Sequence, residues 1–243
     1  MSEFLGMPSR RPGGPPPGRE QALRARRQPY VVATVVRAAR PTSAKAGDRA
    51  LVFPDGTIEG FVGGHCALAT VRTQSLRSLA EGRSTLLRIT PEAAEPYEEE
   101  GLVAVGQPCL SGGTLEIFLE AVIPPMLVLV YGQGPIAHAL HTLGTALGYE
   151  IERTEDPQVT LAPDTAAVIV ASHGIAETPV LQHAISGNIP YIGLVASRRR
   201  GNAVLAGIEG GERVHTPAGL DLKARTPAEI ALTVYAEMLA VRA

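Results

Sequence analysis

Met126-Leu127-Val128-Leu129-Val130-Tyr131-Gly132-Gln133-Gly134-Pro135-Ile136-Ala137 is the stretch on which the fold turns. Its first six residues are apolar without alternation, as in a strand of a parallel sheet covered on both faces. Gly132, Gly134 and Ala137 then stand where a nucleotide-binding turn needs small residues. The first allows the strand-to-helix bend, the second lets phosphate approach the backbone, and the third lets helix and strand pack closely. Ile136, Leu140, Leu143 and Leu147 repeat at i, i+4, i+7 and i+11, giving a helix with one apolar face that Gly148 stops. Glu155 and Asp156 follow Gly134 by roughly 20 residues, the distance expected of a ribose-binding acid. Pro135 removes one N–H from the helix start. Two readings of the turn stand side by side: it binds a nucleotide, or it keeps the shape and binds none.

Downstream the alternation continues, with strands near Ile151, at Ala167 to Ala171 and at Ile189 to Val195, and a helix around Thr178 to Ile185. This βαβ order predicts an open parallel sheet. Thr226-Pro227-Ala228-Glu229 combines a capping box with a proline at the first helical position, and so starts the last helix. Upstream, Ile123-Pro124-Pro125 breaks the pattern. The expected class is α/β, a Rossmann-like parallel-sheet domain over residues 126–243 preceded by a smaller α+β domain over residues 29–122.

In that first domain Val31 to Val36 reads as a buried strand. Ala50 to Phe53 and Thr57 to Val62 flank Pro54-Asp55-Gly56 as a hairpin. Cys66 to Leu79 is an expected helix capped by Gly82, Leu86 to Ile89 a strand, and Pro91 to Glu100 an acidic surface loop. Strands at Leu102 to Val105 and Thr114 to Leu119 complete it. Residues 1–28 are rich in Pro, Gly and Arg and are expected to form a flexible basic arm, either a solvated tail or a polyanion-binding one.

The chain has 243 residues, 45% hydrophobic and 19% charged, with no Trp, values that place it among globular proteins with an aliphatic core. A net charge of −2 supplies no general attraction to nucleic acid, so small molecules or proteins are the expected partners. No run reaches the roughly 20 apolar residues of a membrane span. Two cysteines are too few for a secreted disulfide framework, and a reducing cytoplasm is the expected setting.

Both cysteines lie beside glycines. Gly63-Gly64-His65-Cys66 puts a thiol where a strand meets a helix, so unpaired N–H groups favour its thiolate, and His65 can add charge or move a proton. Cys109 precedes Ser111-Gly112-Gly113, a second open turn, and the pair of turns suggests a shared site. The competing reading is that both cysteines are small buried hydrophobes beside structural turns. Ser197-Arg198-Arg199-Arg200 reads as an anion clamp or a solvated face. His173 closes a strand at the carboxyl edge, where such sheets bind ligands, and His215 sits in a loop.

Ala33-Thr34-Val35-Val36-Arg37, Gly60 to Cys66, and Ser111-Gly112-Gly113-Thr114-Leu115-Glu116 together resemble the XdhC/CoxI family of molybdenum-hydroxylase maturation factors. So do the Gly132 turn, Ser172-His173, Gly193 with Ser197 to Arg200, and His215 to Asp221. The resemblance runs in order from about residue 31 to the end. Many members place a cysteine where this chain has Ser111, with Cys109 two residues earlier. The resemblance implies a cytoplasmic chaperone that binds the molybdenum cofactor, as molybdopterin or its cytosine dinucleotide, and assists its sulfuration. It would deliver the cofactor to a client molybdenum hydroxylase of the carbon monoxide dehydrogenase or xanthine dehydrogenase type. A cysteine desulfurase and a second copy of the chain are further implied partners. Cys66, His65 and Cys109 would handle sulfur and cofactor, with Cys66 near molybdenum but no direct metal ligation. Gly63, Gly64, Gly112, Gly113, Gly132, Gly134, Ala137, Glu155, His173, Ser197 and Arg198 would bind the cofactor. The alternative is an NAD(P)-dependent oxidoreductase, for which the Gly132 turn and Glu155 speak directly. A third reading makes the Rossmann half a scaffold for protein contacts.

Overall fold

A computed structural model describes residues 14–92, 95–107 and 113–242. Contacts divide the chain into two units that meet at Pro124 and Pro125. Among the described residues the first unit carries α1 (Arg19–Ala25), β1 (Tyr30–Ala39), β2 (Arg49–Val52), β3 (Ile58–Gly60) and α2 (His65–Glu81). It continues with β4 (Thr85–Thr90), β5 (Tyr97–Glu99), β6 (Leu102–Gly106) and β7 (Thr114–Val122). The strands lie in the order β3-β2-β1-β7-β4-β6-β5, antiparallel except for β4 beside β6.

The period of two along β1 assigns its faces. Val31, Ala33 and Val35 pack with Ala67 and Val71 of α2 and with Leu115, Ile117 and Leu119 of β7. Tyr30 and Val32 face the other way, onto Leu23 of α1 and Leu51. Two-sided burial explains why the run reads as continuously apolar.

Of the flexible arm expected over residues 1–28, residues 1–13 lie outside the described residues, and within 14–28 the structure differs from it. Arg19–Ala25 is helical, Leu23 is 1% exposed, and the Arg19 guanidinium meets the Glu59 carboxylate through Nε and Nη2 at 2.9 and 2.8 Å. One buried leucine contributes about 1.5–3 kcal/mol, enough to seat a short helix on a preformed sheet. The acidic loop expected over Pro91 to Glu100 also changes, because Tyr97–Glu99 pairs with β6 as an edge strand. All three of its residues are exposed, so hydropathy carries no trace of it.

The second unit holds β8 (Leu127–Tyr131), α3 (Pro135–Ala146), β9 (Glu150–Thr154), β10 (Thr165–Val170), α4 (Glu177–Ser186), β11 (Tyr191–Leu194), α5 (Arg198–Leu205), β12 (Val214–His215) and α6 (Pro227–Arg242). Its five strands are all parallel, in the order β12-β11-β10-β8-β9. Val128 and Val130 face Leu140 of α3 and Val234, Tyr235 and Met238 of α6, while Leu129 and Tyr131 face Val180, Leu181 and Ala184 of α4. The Rossmann-like sheet is therefore covered on both sides. Numbered within the unit, the order is 2-1-3-4-5, as in flavodoxin-like sheets, and it reverses between β8 and β10. Ligands of such sheets bind outside the carboxyl ends of the strands at that reversal.

The capping box forms as written: the Thr226 amide donates to Glu229 Oε2 (3.0 Å), and the Glu229 amide to Thr226 Oγ1 (3.2 Å).

Candidate functional site

In the first unit the chain enters α2 through Gly63, whose φ of +144° favours glycine. A Cβ there would lie 3.1 Å from Ala67 Cβ and 3.2 Å from Leu115 Cδ1, so the turn sits close on β7. Gly64 leads into the helix in an extended conformation with open space where a Cβ would go. His65 and Cys66 are the first two residues of the helix, and both are exposed. They line a cavity of about 600 Å3 with Thr42, Ser43, Gln107 and Gly113. Gly113 is obligatory for another reason, since a Cβ would overlap the Pro41 carbonyl oxygen. Cys109 and Gly112 lie outside the described residues.

Gln107 follows β6 directly. Its amide N–H donates to the Thr90 carbonyl (2.8 Å), its Nε2 donates to the Cys66 carbonyl (2.9 Å), and its Oε1 accepts from Thr70 Oγ1 (2.6 Å). The end of one strand thereby holds the first turn of α2.

In the second unit Gly132 ends β8 at φ +128°, its N–H donating to the Thr154 carbonyl (2.8 Å). A Cβ on Gly132 would lie 2.5 Å from the Ala171 carbonyl oxygen, so β8 and β10 close on each other here. Gly134 precedes α3, and a Cβ on it would lie 2.8 Å from His173 Nε2. The imidazole is therefore against the turn. Ala137 is fully buried in the core and sets the helix-to-sheet distance. Glu155 is exposed just past β9. Tyr131 ionises less readily than a free tyrosine, chiefly through burial and then through the charges of Glu155, Asp156 and Glu177.

His173 has a left-handed backbone at φ +58°, as does Ala176 at +46°. Strain of this kind costs about 1–3 kcal/mol per residue and persists only where the surroundings hold it. Glu177, 4% exposed, does the holding. Its Oε1 lies 3.1 Å from Ser172 Oγ and accepts from the Gly174 amide (2.9 Å), while its Oε2 pairs with Arg200 Nη1 (2.5 Å). Arg200 Nη2 donates in turn to the Val195 carbonyl (2.8 Å). One buried carboxylate thus joins the loops that follow β10 and β11.

The expected arginine clamp divides accordingly. Arg200 is taken up by Glu177, and Ser197 caps α5 by accepting from the Arg200 amide (3.4 Å). Arg198 is exposed and lines a cavity of about 580 Å3 with His173, Ile136, Ala218, Asp221 and Lys223. Asp221 sits below its usual carboxylate range, first through its hydrogen bond with Lys223. His215 stacks on Tyr191 with ring centroids 4.9 Å apart, its Nδ1 3.7 Å from Glu237 Oε1. Glu237 Oε2 accepts from the Tyr191 hydroxyl (2.7 Å) and the Gly219 amide (2.8 Å). Glu237 therefore holds, at Gly219, the loop that lines the second cavity, with His215 packed beside it. Burial, and then Glu237, raises the Tyr191 hydroxyl well above the ordinary tyrosine range.

Family models match both units: the XdhC and CoxI family over residues 23–90 and the XdhC Rossmann domain over residues 128–238. The chain belongs to the XdhC and CoxI family. The uncharacterized protein YqeB of Escherichia coli (strain K12) is 28% identical over 246 residues, covering 88% of this chain and 44% of YqeB. A probable xanthine dehydrogenase subunit of Bacillus subtilis (strain 168) is 25% identical, over 53% of this chain and 47% of that protein. The chain thus spans less than half the length of these two relatives. The molybdenum cofactor insertion chaperone PaoD of Escherichia coli (strain K12) is 24% identical, over 84% of this chain and 80% of PaoD.

Three polar residues that shape these cavities escape a sequence reading: Gln107, Glu177 and Glu237. Each acts on a partner distant in sequence, and only Glu177 leaves a signal, as an acid at a helix start directly after a Ser-His-Gly turn. Among the described residues no group of three or more His, Cys, Asp or Glu converges as a metal site, and no helix is long and apolar enough to cross a membrane.

Proposed function

We propose that this chain is an accessory chaperone that binds the molybdenum cofactor, assists its sulfuration and promotes its insertion into a molybdenum hydroxylase of the xanthine dehydrogenase or carbon monoxide dehydrogenase type. Membership of the XdhC and CoxI family and the likeness to PaoD support the maturation role. The observation that carries the reading is the exposed Cys66 at the second residue of α2, on the wall of a cavity of about 600 Å3.

The fit is chemical. A thiol is a soft donor suited to a sulfur-ligated metal centre, and amides of a helix's first turn favour its anionic form. The volume is in the range of small-molecule sites, roughly 300–1,000 Å3. Cys66 would bind the cargo or pass sulfur to it, with a cysteine desulfurase as the source. His65 beside it would hold or move a proton, Gly64 would keep a side chain out of the cavity, and Gly63 and Gly113 let the chain pack closely around it. In the second unit the Gly132–Gly134 turn suits a phosphate group, flanked by His173 and Arg198. The bound cofactor supplies the molybdenum centre with which the client oxidises its substrate. We place the chain in the cytoplasm and allow it a second copy as partner.

Cys66→Ser tests the reading, with cofactor content of the copurified protein and activity of a co-expressed molybdenum hydroxylase as readouts. Loss of both is expected. Full cofactor loading and full client activity would overturn the thiol role.

Glu155 past β9 and the Gly132 turn at the reversal of strand order favour one further reading, an NAD(P)-dependent oxidoreductase. NADH titration decides it, since saturable binding with hydride transfer to a carbonyl substrate would replace the chaperone reading.

A further inference from the structure

We propose that Gln107 is the positioning residue for Cys66, a neutral amide that locks the thiol-bearing turn to the sheet while keeping negative charge away from the sulfur. The proposal rests on the reading of Cys66 as the working thiol. Orientation comes first. The Cys66 carbonyl can only accept, so the Gln107 group facing it at 2.9 Å must be Nε2. That turns Oε1 to Thr70, whose hydroxyl donates to it at 2.6 Å. The direction of the amide is therefore fixed at both ends.

Rigidity is the second element. Gln107 is anchored to the sheet by its own backbone, through the bond to the Thr90 carbonyl. Cys66 and Thr70 are four residues apart, so they lie one above the other on the same side of α2. One side chain from the sheet thus clamps two successive turns. The first turn of a helix is where the backbone is least supported from within, because its amides have no partners inside the helix. Gly63 and Gly64, which precede it, add flexibility rather than restraint. The Gln107 clamp supplies that restraint by tying the Cys66 backbone to the end of β6.

Charge is the third. Gln107 and Cys66 line the same cavity. Glutamate has nearly the shape of glutamine and could keep the Thr70 bond, but would set an anion beside a thiol that must ionise to react. It would also present an oxygen to the Cys66 carbonyl in place of a donor. Glutamine satisfies the geometry without that charge.

The test uses the full chain carrying Cys109→Ser, which leaves Cys66 as its one thiol. Alkylation by iodoacetamide is followed across pH by mass spectrometry, alongside thermal melting. Gln107→Glu should move the midpoint of the rate profile upward, slowing alkylation at neutral pH by about tenfold for each unit moved. Thr70→Val should move it the same way by less, and Thr70→Ser, which keeps the hydroxyl, should reproduce the parent. An unchanged profile in a Gln107→Glu protein that melts like the parent would overturn the proposal. Were that variant not to fold, identical profiles for Thr70→Val and Thr70→Ser would overturn it equally. Failure of Cys66→Ser to affect client activation would remove the cofactor reading and leave the alkylation result to stand on its own.

Discussion

Gln107 and Glu177 occupy comparable places in the two units. Each sits behind a glycine-lined turn, each reaches several groups at once, and each holds a residue that faces a cavity of nearly 600 Å3. They differ in charge. Gln107 joins a hydroxyl and a carbonyl as a neutral group, whereas Glu177 joins a hydroxyl, an amide and a guanidinium as a buried anion. A neutral amide suits the neighbourhood of a thiol, whose reactive form is anionic. An anion already matched to Arg200 suits a loop that must hold strained backbone, because removing either partner leaves an unpaired charge. Both sites are therefore held, the first by neutral hydrogen bonds from one amide and the second by an ion pair.

The largest expected effect breaks the ion pair. Glu177→Ala leaves the Arg200 charge unpaired and takes the acceptor from the Gly174 amide, and should cost about 3 kcal/mol in urea unfolding, the lower end for buried pairs because the Arg200 side chain keeps 33% exposure. A loss below about 1 kcal/mol would erase the distinction between the two sites. Gln107→Leu removes two neutral hydrogen bonds and should cost about 1–2 kcal/mol by the same measurement. Parity with Glu177→Ala would show the amide to be as structural as the ion pair.

Gly64→Ala should be nearly silent for stability, within about 1 kcal/mol, since the backbone there is extended and no atom lies within 4 Å of the new methyl. Its effect should appear instead in cofactor content, because the methyl narrows the mouth beside His65 and Cys66. The smallest effect concerns the helix whose Ile230 and Thr233 line the second cavity. The amides of Arg225 and Thr226 hold Glu229 below its usual carboxylate range. A depressed acid stabilises the fold above its unfolded value and loses that contribution as pH falls through its folded one. Glu229→Gln should flatten this part of the acid limb in melting curves taken from neutral pH downward, and a limb as steep as the parent's would assign it elsewhere.

How far the sequence could be read follows the same division. The β8–α3 turn is legible because strand, glycines and helix are contiguous, and their spacing is that of a strand bending sharply into a helix packed close on its sheet. The Cys66 turn is legible because two glycines and a thiol at a helix start have a chemical reason to be together. α1 is hidden because its seat depends on Leu23 meeting a face of β1 that the same sequence must first build. Arg200 reads as a candidate phosphate ligand until Glu177, 23 residues earlier, is seen beside it. Gln107 is the least legible of all, as an ordinary polar residue after a strand whose meaning lies in two atoms of α2.

The outer strands have a consequence for how this protein can associate. β3, β5 and β12 are two or three residues long, and β9 carries Glu150, Glu152 and Arg153. Short or charged borders are poor templates for another chain's backbone. Both sheets are therefore guarded against edge-to-edge growth, which protects an exposed thiol and two open cavities from being drawn into aggregates. Any protein partner would be met through loops and helix faces, the parts of the molecule that can let go again.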